Sequence, residues 1–389
     1  MDQVNERGAL PFEPFTIQVP DAVLADLETR LRQTRWPDPA PGRPWEHGTD
    51  LDYLRRLVEY WVDGFDWRAE ERRLNGVRQF RAELGNLRIH FVHERAVGGS
   101  RVPLILTHGW PSSFAELLPL VPLLTDPQAH GIDGPAFDVV IPSLPGYGFS
   151  DRPARATYRS TARLWHELMQ GLGYERYGVG GADFGAGVAT FMALEEPERV
   201  LGVHLSTPEL SPYIGPGSSP LSPAEAAYLE QRDAWDAVER GYSSIQSTRP
   251  QTVGYGLNDS PAGLAAWILE KWRAWADTDG DLEGRFSRDF LLTVVTLYWV
   301  TGTITSSMRD YFDNRWHGET IGPETFVHVP TAIASFPRQF AFEGEPPREW
   351  SERLYDVRRW TRMERGGHFA AAEEPQLLAR DIAGFFGSI

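Results

Sequence analysis

Tyr177-Gly178-Val179-Gly180-Gly181-Ala182-Asp183-Phe184-Gly185 is the stretch on which the fold turns. Arg176 to Gly180 reads as a short buried strand and Phe184 to Glu196 as a helix. Between them, Gly181-Ala182-Asp183-Phe184-Gly185 has the shape Gly-x-nucleophile-x-Gly, with an aspartate where many such elbows carry serine. Its two glycines permit a strained turn and close helix packing. The turn lifts the carboxylate above the sheet at the positive end of a helix, which favours the ionised form. A carboxylate attacks saturated carbon and leaves an alkyl ester, whose carbonyl water can then open. That chemistry suits epoxides or alkyl halides, not peptides or acyl esters. Taken alone, the same residues also read as an N-cap aspartate in a glycine-rich turn.

Outward from the elbow the pattern repeats. Leu87 to Val92, Val102 to Leu106, Phe137 to Ile141 and Val200 to Leu205 read as strands. Helices are predicted at Ser113 to Leu124 and Thr161 to Gly171. Strands alternating with helices predict an α/β fold with a mostly parallel sheet covered on both faces. Thr331 to Phe336 and Trp360 to Arg365 continue the sheet, and Glu373 to Phe386 closes it as a helix. Between these halves lies a Trp-rich block with helical patterns at Pro261 to Thr278 and Ser287 to Asn314. A helical insertion of this kind predicts a lid over the carboxyl ends of the strands, where such sheets place their sites. Before the sheet, Ala22 to Arg35 and Leu51 to Gly64 are amphipathic helices. The expected organisation is an N-terminal helical arm (1–85), a first core segment (86–210), a helical cap (211–325) and a second core segment (326–389).

Two further stretches fall after predicted strands. His108-Gly109-Trp110-Pro111 follows the strand 102–106, and the backbone N–H groups of Trp110 and Phe184 could form an oxyanion hole. His108 itself reads as structural. Arg365-Gly366-Gly367-His368-Phe369-Ala370-Ala371 follows the last strand, so His368 stands where a water-activating base belongs in the chain order of a triad.

Composition narrows the partners. A net charge of −16 disfavours nucleic acid and anionic membranes. With no cysteine, disulfides and thiolate metal sites are excluded, and no cofactor or metal is expected. No run approaches 18 apolar residues and no signal peptide is visible, so a cytoplasmic enzyme without a membrane partner is expected. The oligomeric state is open, a homodimer being one option. Lysine and arginine together number 38, and Lys271 is the single lysine. With heavy Ala, Gly and Pro use, this reads as codon bias in a GC-rich genome.

At these residues the chain resembles the microsomal-type epoxide hydrolase family in its bacterial form. The resemblance runs through Pro14-Phe15, Arg35-Trp36-Pro37, His108-Gly109-Trp110-Pro111, the elbow at Asp183, Leu257-Asn258-Asp259-Ser260-Pro261, Tyr298-Trp299, Gly302-Thr303, Ser306-Ser307 and Gly366-Gly367-His368-Phe369-Ala370-Ala371. It implies an α/β-hydrolase fold, hydrolysis of an apolar or aryl epoxide to a vicinal diol, Asp183 as nucleophile and His368 as base. It also implies two cap tyrosines, Tyr242 and Tyr311, that donate protons to the epoxide oxygen. Physically, ring opening makes an alkoxide, and two phenols would take the place of water around it. The membrane anchor of the animal enzymes is absent, so a soluble enzyme is expected. The arginine-rich composition looks actinomycete and fits epoxide hydrolases of antibiotic biosynthesis, including enediyne pathways; detoxification is a second role.

One position departs from the family. Ser335-Phe336-Pro337-Arg338-Gln339 carries glutamine where an acid that orients the histidine usually stands. Gln339 can accept a hydrogen bond from imidazole but carries no charge. Glu209, just after the strand 200–205, is the leading replacement, since some dehalogenases that resemble this fold place their acid there. Glu343 and Glu345 lie in a Pro- and Gly-rich loop and read as solvated. Two other readings stay on the page: a haloalkane dehalogenase, which needs halide donors from indole or amide N–H, and a non-catalytic binding protein with a degraded triad.

Overall fold

The computed structural model describes residues 11–98, 101–340 and 343–389. Among these, nine strands form one sheet: β1 (Phe12–Phe15), β2 (Gln79–Leu84), β3 (Leu87–Glu94), β4 (Arg101–Thr107), β5 (Ala136–Pro142), β6 (Tyr177–Ala182), β7 (Val200–Thr207), β8 (Val327–Ser335) and β9 (Tyr355–Arg362). Their spatial order is β1-β2-β3-β5-β4-β6-β7-β8-β9. The pairs from β1 to β3, and β3 with β5, are antiparallel. From β5 across to β9 every pair is parallel. All seven residues of β5 are buried, as expected for a strand covered on both faces. The fold is the α/β-hydrolase fold with a mostly parallel sheet.

The helix Phe184–Glu195 that leaves the elbow is buried from Phe184 through Ala193. A helix apolar all round belongs inside, and this one packs between β6 and the helix Tyr158–Gly171. Helices then fill the chain between β7 and β8, from Pro223–Glu239 to Ile304–His317. The expected long helix Ser287 to Asn314 is two helices, Arg288–Thr301 and Ile304–His317, bent by 86°. Gly302 between them takes the left-handed conformation at φ 60, a C-cap that stops the first helix. Ser113 to Leu124 is likewise two short helices, Phe114–Leu117 and Leu120–Thr125. Pro119 lies at the break and has no N–H to continue a helical ladder.

Sheet edges also differ from the sequence reading. Gln79–Leu84, counted with the arm, is a sheet strand whose hairpin with β3 turns at Gly85 and Asn86. Its burial pattern is too mixed to give a clean alternation. β9 starts at Tyr355, five residues before Trp360, and stops at Arg362.

The arm lies against the cap. Tyr53, Leu54, Leu57, Val58 and Trp61 form the buried face of helix Leu51–Asp63. Thr49 donates to the Ala266 carbonyl, and Tyr60 to Asp289. A fully buried apolar side chain is worth about 1.5–3 kcal/mol, while an exposed ion pair such as Arg30–Asp259 adds about 0–1 kcal/mol. Apolar burial therefore decides how the arm holds the cap above the strand ends.

Candidate active site

Asp183 sits at φ 53, ψ −129, in a conformation that L-residues rarely adopt. The elbow is held by close packing. A Cβ on Gly185 would lie 2.0 Å from the Thr107 carbonyl oxygen, and one on Gly109 would lie 2.5 Å from Asp183 Oδ1. Both approaches require glycine.

Oδ1 of Asp183 accepts hydrogen bonds from the backbone N–H of Trp110 at 2.9 Å and of Phe184 at 2.7 Å. These are the two groups expected to form an oxyanion hole. Burial pushes the Asp183 carboxyl up to about 6, against the pull of those two N–H groups. The other oxygen, Oδ2, stands 3.7 Å from His368 Nε2. Burial alone pushes His368 down to about 3, which keeps the imidazole neutral. His108, by contrast, accepts the Leu144 N–H and supports the loop, as a structural residue does.

Tyr242, on the short helix Gly241–Gln246, and Tyr311, on Ile304–His317, come together from different parts of the cap. Their ring centroids are 6.0 Å apart, and the Trp110 ring lies 5.5 Å from the first and 5.6 Å from the second. Tyr311 also meets Phe184 at 4.8 Å. Burial and the neighbouring Asp183 charge raise both phenols, so both stay protonated.

The structure brings neither Glu209 nor Gln339 into a hydrogen bond with His368 Nδ1. Nδ1 of His368 has no hydrogen-bond partner among the described residues. Glu209 instead accepts a hydrogen bond from the Tyr158 hydroxyl at 3.1 Å. It projects into the cavity, where burial, reinforced by Asp183, pushes it up to about 8. Gln339 lines the same cavity, and its neighbour Phe340 sets its ring 4.7 Å from the imidazole. Glu343, read as solvated, is buried and pushed up to about 7. Glu345 pairs with Arg362 at 3.0 Å.

Glu373 was not singled out from sequence, yet it fixes the histidine loop. Its buried carboxylate accepts from the backbone N–H groups of Gly367 and Phe369, which flank His368, both at 3.0 Å. It also accepts from Asp277 N–H at 2.7 Å, just past the cap helix Pro261–Trp275. The His368 N–H in turn donates to the Trp275 carbonyl at 2.9 Å. Only the spacing of Glu373, five residues after His368, could have hinted at this.

The cavity above Asp183 holds about 610 Å³ and is lined near the carboxylate by Phe184, Tyr158, Tyr242 and Tyr311. It is not purely apolar, because Arg232, Asp236, Arg240 and Glu343 also line it. Among the described residues no group of three or more His, Cys, Asp or Glu side chains is arranged to hold a metal ion.

An α/β-hydrolase whose elbow carries a carboxylate held by two backbone N–H groups is the class that fold and site define. Residues 12–117 match the family model described as epoxide hydrolase N terminus, and 102–254 that of the alpha/beta hydrolase fold. Pig epoxide hydrolase 1 is 38% identical over 96% of this chain and 88% of its own length. A relative in Stigmatella aurantiaca, an epoxide hydrolase by name, is 43% identical over 95% of this chain and 83% of its own. The crystal structure of juvenile hormone epoxide hydrolase from the silkworm Bombyx mori matches with a TM-score of 0.89 at 30% identity, covering 98% of this chain and 96% of that one. The chain belongs to the epoxide hydrolase family and is an enzyme of that family. The non-catalytic reading is thereby set aside.

Proposed function

We propose that the protein opens an epoxide by attack of Asp183 Oδ2 and hydrolyses the resulting ester with water activated by His368. The observation that carries this reading is the division of labour within one carboxylate. Oδ1 already lies on the Trp110 and Phe184 N–H groups, so Oδ2 is the oxygen left to attack. As its bond to the epoxide carbon forms, the ring C–O bond breaks, and the departing oxygen takes a proton from Tyr242 or Tyr311. In the ester, Oδ1 is the carbonyl oxygen. It becomes the oxyanion when water adds, and its two donors are in place before the step begins. His368 takes the water proton through Nε2. Collapse of the intermediate breaks the bond between the carboxyl carbon and Oδ2, the leaving oxygen takes the proton held by His368, the second water proton returns to the tyrosine, and the carboxylate keeps one oxygen from water.

The phenols favour an epoxide over an alkyl halide. Tyr242 and Tyr311 line the cavity beside Asp183, and the Asp183 charge acts on both phenols. An alkoxide needs a proton, which a phenol supplies and a halide-binding indole N–H does not. The size of the cavity fits an aryl or alkyl epoxide, and its charged part suits a substrate with a polar substituent. A cytoplasmic location and, on the family resemblance, a place in secondary metabolism belong to the same proposal.

A single turnover in water enriched in heavy oxygen tests the mechanism. The first diol released should carry no solvent oxygen, because its new oxygen comes from Asp183. Solvent label in the first diol would mean direct attack by water and would overturn the reading.

A further inference from the structure

The single lysine of the chain, Lys271, lies 7% exposed on the cap helix Pro261–Trp275. Burying an ammonium group is unfavourable unless something compensates for its charge. Glu270 pairs with it at 2.5 Å. Its Nζ also stands 4.7 Å from the centroid of the Tyr242 ring and 5.8 Å from that of Trp275. A composition that uses arginine at every other cationic position keeps its one lysine under a cavity tyrosine.

We propose that Lys271 is a positioning residue for proton donation by Tyr242: its ammonium, held over the phenol ring, stabilises the negative charge that the ring acquires as the proton leaves. This rests on the reading of Tyr242 as a proton donor. A cation attracts the face of a neutral phenol, and it attracts a ring carrying negative charge more strongly. The interaction therefore grows toward the transition state of ring opening, which is the condition for it to speed the step. Tyr242 needs such help. Burial opposes loss of its proton, and the Asp183 charge adds to that opposition. Arg240 and the neighbouring Tyr311 act the other way. Arg240 is tied to Asp236 at 2.5 Å as Lys271 is to Glu270, but of the two cations the ammonium is the one set against the Tyr242 ring. Hydrolysis of the ester uses His368 and the oxyanion hole and does not draw on this contact.

The test is a double-mutant cycle read by stopped-flow tryptophan fluorescence with styrene oxide, which separates alkylation from ester hydrolysis. Lys271→Met should slow alkylation roughly threefold to thirtyfold and leave ester hydrolysis within about twofold. Lys271→Arg should recover most of the loss. In a Tyr242→Phe background, Lys271→Met should change alkylation by less than about twofold, since no phenol proton remains to assist. Should Lys271→Met not fold, Lys271→Gln replaces it in the same cycle. Unchanged alkylation, equal slowing of both steps, or a full additive loss on top of Tyr242→Phe would overturn the proposal while leaving the donor reading intact. If Tyr242→Phe alone alkylates at the native rate, the donor reading fails, and this inference with it.

Discussion

Asp183 Oδ2 and His368 Nε2 stand 3.7 Å apart, too far for a hydrogen bond, and burial moves their affinities for protons in opposite directions. The carboxyl is pushed up to about 6 and the imidazole down to about 3. Above pH 6 the pair is a carboxylate beside a neutral imidazole, ready for attack and then for base catalysis. As pH falls through about 6, the nucleophile takes up a proton and alkylation should fade. Ester hydrolysis, which needs only neutral imidazole, should hold to lower pH. Single-turnover rates for the two steps between pH 5 and 8 check this. An acid limb near 6 in ester hydrolysis, with none in alkylation, would reverse the assignment.

Asp183→Asn should abolish turnover, because an amide is a poor nucleophile, without lowering stability. The sign follows from the raised carboxyl. An unfolded aspartate titrates near 3.9 and the folded one near 6. Between these values the folded state holds the extra proton, so ionising Asp183 weakens the fold as pH rises through that window. A neutral amide removes this effect. Thermal melting at pH 7 should show the variant at or above the native Tm.

Tyr242→Phe and Tyr311→Phe should each slow alkylation by roughly tenfold to a thousandfold, the range for losing one donor to a developing oxyanion. Hydrolysis of the preformed ester should change far less. Equal slowing of the two steps would point to a general packing defect around Trp110 instead.

Gln339→Glu should accelerate ester hydrolysis by roughly tenfold, since a carboxylate stabilises the imidazolium that forms on the base. The residue lies one position before Phe340, whose ring contacts His368. Glu209→Gln should change that step little, because Glu209 is bound to Tyr158. A large loss in Glu209→Gln would show that the carboxylate reaches the imidazole during turnover.

Glu373→Gln should cost about 1–3 kcal/mol of stability. The new amide NH₂ cannot accept the N–H groups of Gly367 and Asp277 that now converge on Oε2. Ester hydrolysis should fall more than alkylation, since the displaced loop carries His368 and not Asp183. Denaturant melts together with the two single-turnover rates check this.

The elbow, the oxyanion loop and the histidine were legible in the sequence because each is a local device. Gly181 to Gly185 must turn sharply wherever a strand meets a helix, and Trp110 and Phe184 supply backbone N–H groups whatever their side chains. Tyr242 and Tyr311 became visible only through the family resemblance, since spacing cannot show that two cap helices converge on one carboxylate. Other features depended on tertiary structure alone. The break at Gly302 needs a left-handed residue that a helical pattern running from 287 to 314 conceals. Glu209, near the expected strand end, turns to Tyr158, because one bond of rotation decides which neighbour a loop carboxylate meets. Glu373 and Lys271 looked like ordinary charges. Their roles come from burial, which joins one to the backbone on either side of His368 and sets the other over the ring of Tyr242.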